Sequence, residues 1–138
     1  IKHTSDTAKV KLISYLVSTA YGLHSHASLR IEINGTEYEA GATGDGQFDA
    51  FVHGLRDIYQ NRLHRKFPVL TNYFVTIPPG GRTDALVQTV ICWELNGKVI
   101  RTRGLDADQT DSAIKATIKM LNLLENIEDN ELSVPEFE

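Results

Sequence analysis

Leu29-Arg-Ile-Glu-Ile-Asn-Gly35 and Ile91-Cys-Trp-Glu-Leu-Asn-Gly97 are one passage met twice, 62 positions apart. In the first copy Leu29, Ile31 and Ile33 alternate with Arg30 and Glu32, the period-2 signature of a half-buried strand. Each copy ends at Asn-Gly, the strongest short hairpin signal, because both residues tolerate positive φ. Working outward, residues 10–62 slide onto the second half by 62 positions without a gap. Glu32 meets Glu94, Gln47 meets Gln109 and Asp49 meets Asp111, while Leu12 meets Phe74, Ile13 meets Val75 and Val52 meets Ile114. An internal repeat dictates architecture. Two copies that each expose an apolar face are expected to pack about a pseudo-twofold axis, and that geometry favours binding at a shared interface.

The elements read as follows. Strands are predicted over 10–20, 27–33 and 36–42, then a glycine-rich turn Gly41-Ala-Thr-Gly-Asp-Gly46. Phe48, Val52, Leu55 and Tyr59 recur at helical spacing and predict a helix over 47–62. The second unit repeats the order, with strands over 69–77, 85–95 and 98–104 and a helix over about 109–125 whose first turn is acidic. The fold class is therefore α+β, an internally duplicated βββα-βββα with antiparallel sheets covered by two helices. Residues 1–9 read as a linker, 10–126 as the domain and 127–138 as an acidic, solvated tail. The chain begins at Ile1, which suggests a piece of a longer polypeptide.

Composition narrows the function. The 138 residues carry a net charge of −4, which gives no electrostatic support for nucleic-acid binding. No apolar run approaches a membrane span. The single Cys92 lies in an apolar run, reads as a buried thiol and points to a reducing compartment, hence the cytoplasm. His24 and His26 lack a Cys, Asp or Glu neighbour to complete a metal set, and His3, His53 and His64 are isolated. Arg62 to Lys66 form a basic cluster suited to a helix C-terminus. Lys98, Arg101 and Arg103 read as the solvated face of a strand. No catalytic constellation is visible, which weighs against a small stand-alone enzyme. Gly44-Asp-Gly46 opens a helix, where exposed amides can hold an anion. The second copy keeps the following Gln-x-Asp but has Asp106-Ala-Asp108 in place of both glycines, so one loop calls for close backbone approach and the other does not.

The series Gly44-Asp-Gly-Gln-Phe-Asp-Ala50, Leu70-Thr-Asn-Tyr73, Thr83-Asp-Ala85 and Arg103-Gly104 before a Gln-x-Asp-Ser-Ala113 helix start resembles the C-terminal allosteric, dimerising domain of 2-isopropylmalate synthase and the related citramalate synthase. The resemblance covers about residues 10–124. It implies a regulatory module of branched-chain amino acid (leucine) biosynthesis: a homodimer that binds leucine or isoleucine for feedback inhibition of its own catalytic barrel. That barrel is a separate metal-dependent unit that condenses acetyl-CoA with a 2-oxo acid. A divalent metal is expected only there, and no catalytic residue or cofactor is expected in this chain. The effector positions carried over are Gly44, Gly46, Phe48, Asp49, Leu70, Tyr73, Ile77, Ala85, Val87, Ala107 and Gln109. Asp45-Gly46-Gln47 stands where the family often has Asn-Gly-Pro, Asn72 replaces a frequent Asp, and Phe48 is bulkier than the usual aliphatic residue. A purely structural dimerisation module is the alternative reading.

Overall fold

The structure is a computed structural model. It describes residues 8–19, 22–77, 86–127 and 136–137, in two compact units that divide between Phe67 and Pro68.

In the first unit β1 (Val10–Ser18), β2 (Ser25–Ile33) and β3 (Thr36–Gly44) form an antiparallel sheet in the order β1-β2-β3. Asn34 and Gly35 turn the hairpin with φ of 52° and 88°, the left-handed geometry that their residue types allow. The alternation in β2 does what it predicts: Ala27, Leu29, Ile31 and Ile33 are buried, while Ser28 and Arg30 on the other face are exposed. Helix α1 (Gln47–Asp57) covers the buried face and runs on into a π-helical turn, Ile58–Arg62. Its buried stripe is centred on Phe51, Leu55, Ile58 and Tyr59. Phe48, placed on that stripe by spacing, sits half-buried at its edge.

In the second unit β4 (Val69–Thr76), β5 (Val87–Leu95) and β6 (Lys98–Asp106) repeat the antiparallel meander, with Asn96-Gly97 at the hairpin, and α2 (Gln109–Glu125) covers one face. Trp93, Ile91, Ile100, Ala116, Met120 and Leu121 make the core. Its buried polar groups are matched: the Trp93 indole N–H donates to Thr102 Oγ1 (3.4 Å), and the Thr102 hydroxyl donates to the Ala116 carbonyl (2.8 Å). Within the tail expected to be solvated, a two-residue strand β7 (Glu136–Phe137) pairs parallel with β6 at Val99 and Ile100.

Two further details depart from the sequence reading. The gapless 62-residue slide holds from β2 through α1 but not at β1. Ile31 and Trp93 are 62 apart, yet their strand partners Leu12 and Leu70 are 58 apart. Leu12 therefore corresponds to Leu70, not Phe74, and the bulge after each places Ile13 opposite Thr71, not Val75. The cause is the first connection, six residues between Ser18 and Ser25 against ten between Thr76 and Val87. Alternation tolerates a four-residue shift, because it keeps the same side chains inward. Second, the glycine run from Gly41 is not a turn until after Gly44. It continues β3, because Ala42 and Gly44 take the inward positions beneath α1 and small residues let strand and helix approach.

Candidate functional site

Each unit brings the end of its third strand against the start of its helix, and the two junctions are built from different residues. In the second unit the junction is closed by its own acids. Asp106, the last residue of β6, accepts a hydrogen bond from the Asp108 amide (3.0 Å) and pairs with Lys115 Nζ (2.9 Å). These partners, the amide first, hold its carboxyl below the ordinary carboxylate value. Lys115 also donates to the Leu105 carbonyl (3.3 Å). Asp108 is the N-cap of α2, accepting from the Asp111 amide (2.9 Å).

The first junction lacks those groups. Gly44 stands in place of Asp106 and Gly46 in place of Asp108. A Cβ on Gly44 would lie 2.6 Å from Asp49 Oδ2 and 2.7 Å from the Ala50 amide nitrogen, so the strand end is pressed against the first turn of α1. Gly46 is the N-cap residue, with extended backbone and no side-chain cap, and a Cβ there would meet nothing within 4 Å. The turn is braced from below. Asp49 Oδ2 accepts from the Asp45 amide (3.0 Å), and Asp49 Oδ1 lies 3.4 Å from His53 Nε2. The opposite ring nitrogen, Nδ1, donates to the Thr43 carbonyl (2.8 Å). A helix start with open space at its cap presents amides and the positive end of the dipole, a setting suited to a carboxylate or another small anion.

The sequence-predicted residues divide between the units. Gly44, Gly46, Phe48 and Asp49 gather at the first junction, with Gly44 buried and the other three half-exposed. In the second unit Ile77, Val87, Ala107 and Gln109 lie at one end of the sheet, since Val87 pairs with Asp106 and Thr76 with Gln88. Tyr73 is half-buried, paired with Ile91. Leu70 pairs with Trp93, six residues along β5 from Val87. At about 3.4 Å per residue that is roughly 20 Å away, so the unit does not bring Leu70 to the same end. Ala85 lies outside the described residues. His24 and His26 take separate partners, Asp45 (3.9 Å) and Ser28 (3.3 Å). Among the described residues no three His, Cys, Asp or Glu side chains converge as a metal set. A broad cleft of about 630 Å³ crosses the open sheet face of the first unit between Leu16, Ser28, Arg30, Gly41 and Arg62, and holds none of the predicted residues.

His53 was missed by sequence reasoning as an isolated histidine. Two signals were available: it follows Asp49 by four on a helix, and it falls 62 positions before Lys115.

Comparison with known proteins gives the following. A family model described as LeuA allosteric (dimerisation) domain matches residues 2–125. A probable 2-isopropylmalate synthase of Methanopyrus kandleri is 34% identical over 118 residues, 85% of this chain and 23% of that protein. A protein of Archaeoglobus fulgidus carrying the provisional name (R)-citramalate synthase is 30% identical over 116 residues, 84% of this chain and 23% of its own length. The 2-isopropylmalate synthase of Acidimicrobium ferrooxidans is 29% identical over 114 residues, 83% of this chain and 21% of that protein. The chain thus spans less than a quarter of the length of these curated relatives.

Proposed function

This chain belongs to the LeuA allosteric (dimerisation) domain family, and from that premise we propose that it is the regulatory, dimer-forming part of a 2-isopropylmalate synthase-like or citramalate synthase-like enzyme. Its effector is leucine or isoleucine, taken up at the junction of β3 and α1. Binding there inhibits condensation of acetyl-CoA with a 2-oxo acid on a separate catalytic region.

The observation that carries this reading is the difference between the two junctions. One fold, used twice, satisfies its helix start with Asp108 and Asp106 in one unit and leaves glycine at both positions in the other. An amino acid supplies what the first junction lacks. Its carboxylate takes the place of the missing cap at Gly46, its ammonium meets Asp49, and Phe48 lies against its side chain. Burial of a leucine or isoleucine side chain contributes roughly 1.5–3 kcal/mol. Micromolar affinity requires about 8 kcal/mol, so the charged ends carry the larger share. A coupling of about 1–3 kcal/mol to the catalytic region suffices for 5- to 150-fold regulation.

Calorimetric titration with L-leucine, L-isoleucine and L-alanine tests the reading. Heat from a branched-chain amino acid and none from alanine is expected. A dimer in sedimentation that takes up neither branched amino acid would leave only the structural-module reading.

A further inference from the structure

We propose that His53 is a positioning residue of the effector junction, one that in its imidazolium form, with a proton on each ring nitrogen, fixes the Asp49 carboxylate and the end of β3. The inference rests on the effector reading above.

His53 spans three pieces of the junction. Nδ1 donates to the Thr43 carbonyl at the end of β3 (2.8 Å), and Nε2 lies 3.4 Å from Asp49 Oδ1. The second carboxylate oxygen of Asp49 accepts from the amide of Asp45, inside the Gly44–Gly46 turn. One side chain thereby ties strand, turn and helix into a single unit. Asp49 keeps capacity for a further donor, since a carboxylate accepts at about four lone-pair sites, while here Oδ2 accepts from one amide and Oδ1 faces the imidazole.

The duplication supplies an independent warrant. Thr43 and Leu105 are equivalent, as are His53 and Lys115. In both units the helix side chain at that position donates to the carbonyl of that strand residue and pairs with a carboxylate of its own junction. The carboxylate differs, Asp49 on the helix in one and Asp106 on the strand in the other, yet the cationic or N–H partner stays. A lone helix-surface histidine has no reason to repeat the geometry of a lysine 62 positions away, so the arrangement marks a brace that the junction requires.

Lysine is therefore the informative replacement, because the second unit already uses it. His53→Ala removes both contacts, and L-leucine and L-isoleucine are expected to bind roughly tenfold more weakly in calorimetry on the full chain. His53→Lys is expected to restore affinity to within about threefold of the parent, with thermal unfolding recorded for each variant. Unchanged affinity in His53→Ala, or His53→Lys binding as weakly as His53→Ala, overturns the proposal. If His53→Ala does not fold, His53→Lys decides alone: near-parental affinity supports the brace and a tenfold loss refutes it. Absence of heat from the parent chain with either amino acid rejects the effector reading itself, a different result from any of these.

Discussion

Gly44 and Gly46 look alike in sequence and carry different burdens. At Gly44 a methyl group meets both a carboxylate oxygen and a backbone nitrogen under 3 Å, and the latter moves only with the helix. Gly44→Ala is expected to destabilise the chain by about 1–3 kcal/mol, read as a lowered denaturant midpoint. A parental midpoint would show that the strand end yields freely. Asp106 carries the pH dependence of the second junction. Its carboxyl is held below its ordinary value of 3.8, so its contribution is present above that value and lost as pH falls through the lower folded-state value. The stability gap between the parent and Asp106→Asn should hold from about pH 7 to pH 5 and narrow as the pH falls through about 4 and below; a gap that widens on acidification contradicts the assignment. The glycines and acids at these positions were legible in the sequence as a contrast between copies. The acids' partners were not, because the Asp45, Asp108 and Asp111 amides are backbone groups whose neighbours only the fold defines.

At the scale of elements, alternation and the two Asn-Gly turns were enough to place six strands and two helices in order. What they missed has a common physical origin. A period-2 pattern cannot register a four-residue difference in the loop before β2 and β5, and glycine reads as turn whether it breaks a strand or lets a helix approach one. The helix starts are where the units part company. The extended backbone at Gly46 suits an N-cap side chain, and space is open there. Gly46→Asp copies the cap of α2 onto α1. It is expected to leave stability within a few tenths of a kcal/mol, since glycine is itself a tolerable cap, while weakening leucine or isoleucine binding at least tenfold by setting a carboxylate where the effector's own must sit. Calorimetry beside a thermal melt separates the two effects, and undiminished binding would remove the first junction from consideration.

At the scale of the whole molecule the constraint is size. Each unit is one helix on one face of a small sheet, and a domain of about 60 residues buries only about 60% of the surface that its unfolded chain exposes. The opposite faces and edges keep large apolar side chains in the open: Ile13 and Leu16 in the first unit, Val69, Phe74, Val99 and Leu105 in the second. Charged neighbours such as Arg30, Glu39, Arg101 and Arg103 dilute that surface without removing it. In the dimer proposed above, a second copy of the chain covers part of that surface, a role consistent with the dimerisation-domain family to which the chain belongs. A dimer that shares core-like surface gains stability by mass action, so its unfolding depends on protomer concentration. The thermal midpoint is therefore expected to rise by several degrees between about 5 and 500 μM chain, because a hundredfold change in concentration is worth roughly 2.7 kcal/mol. Differential scanning calorimetry over that range checks it. A midpoint independent of concentration would mean that the two βββα units sustain their cores unaided, and that the exposed apolar residues serve something other than self-association.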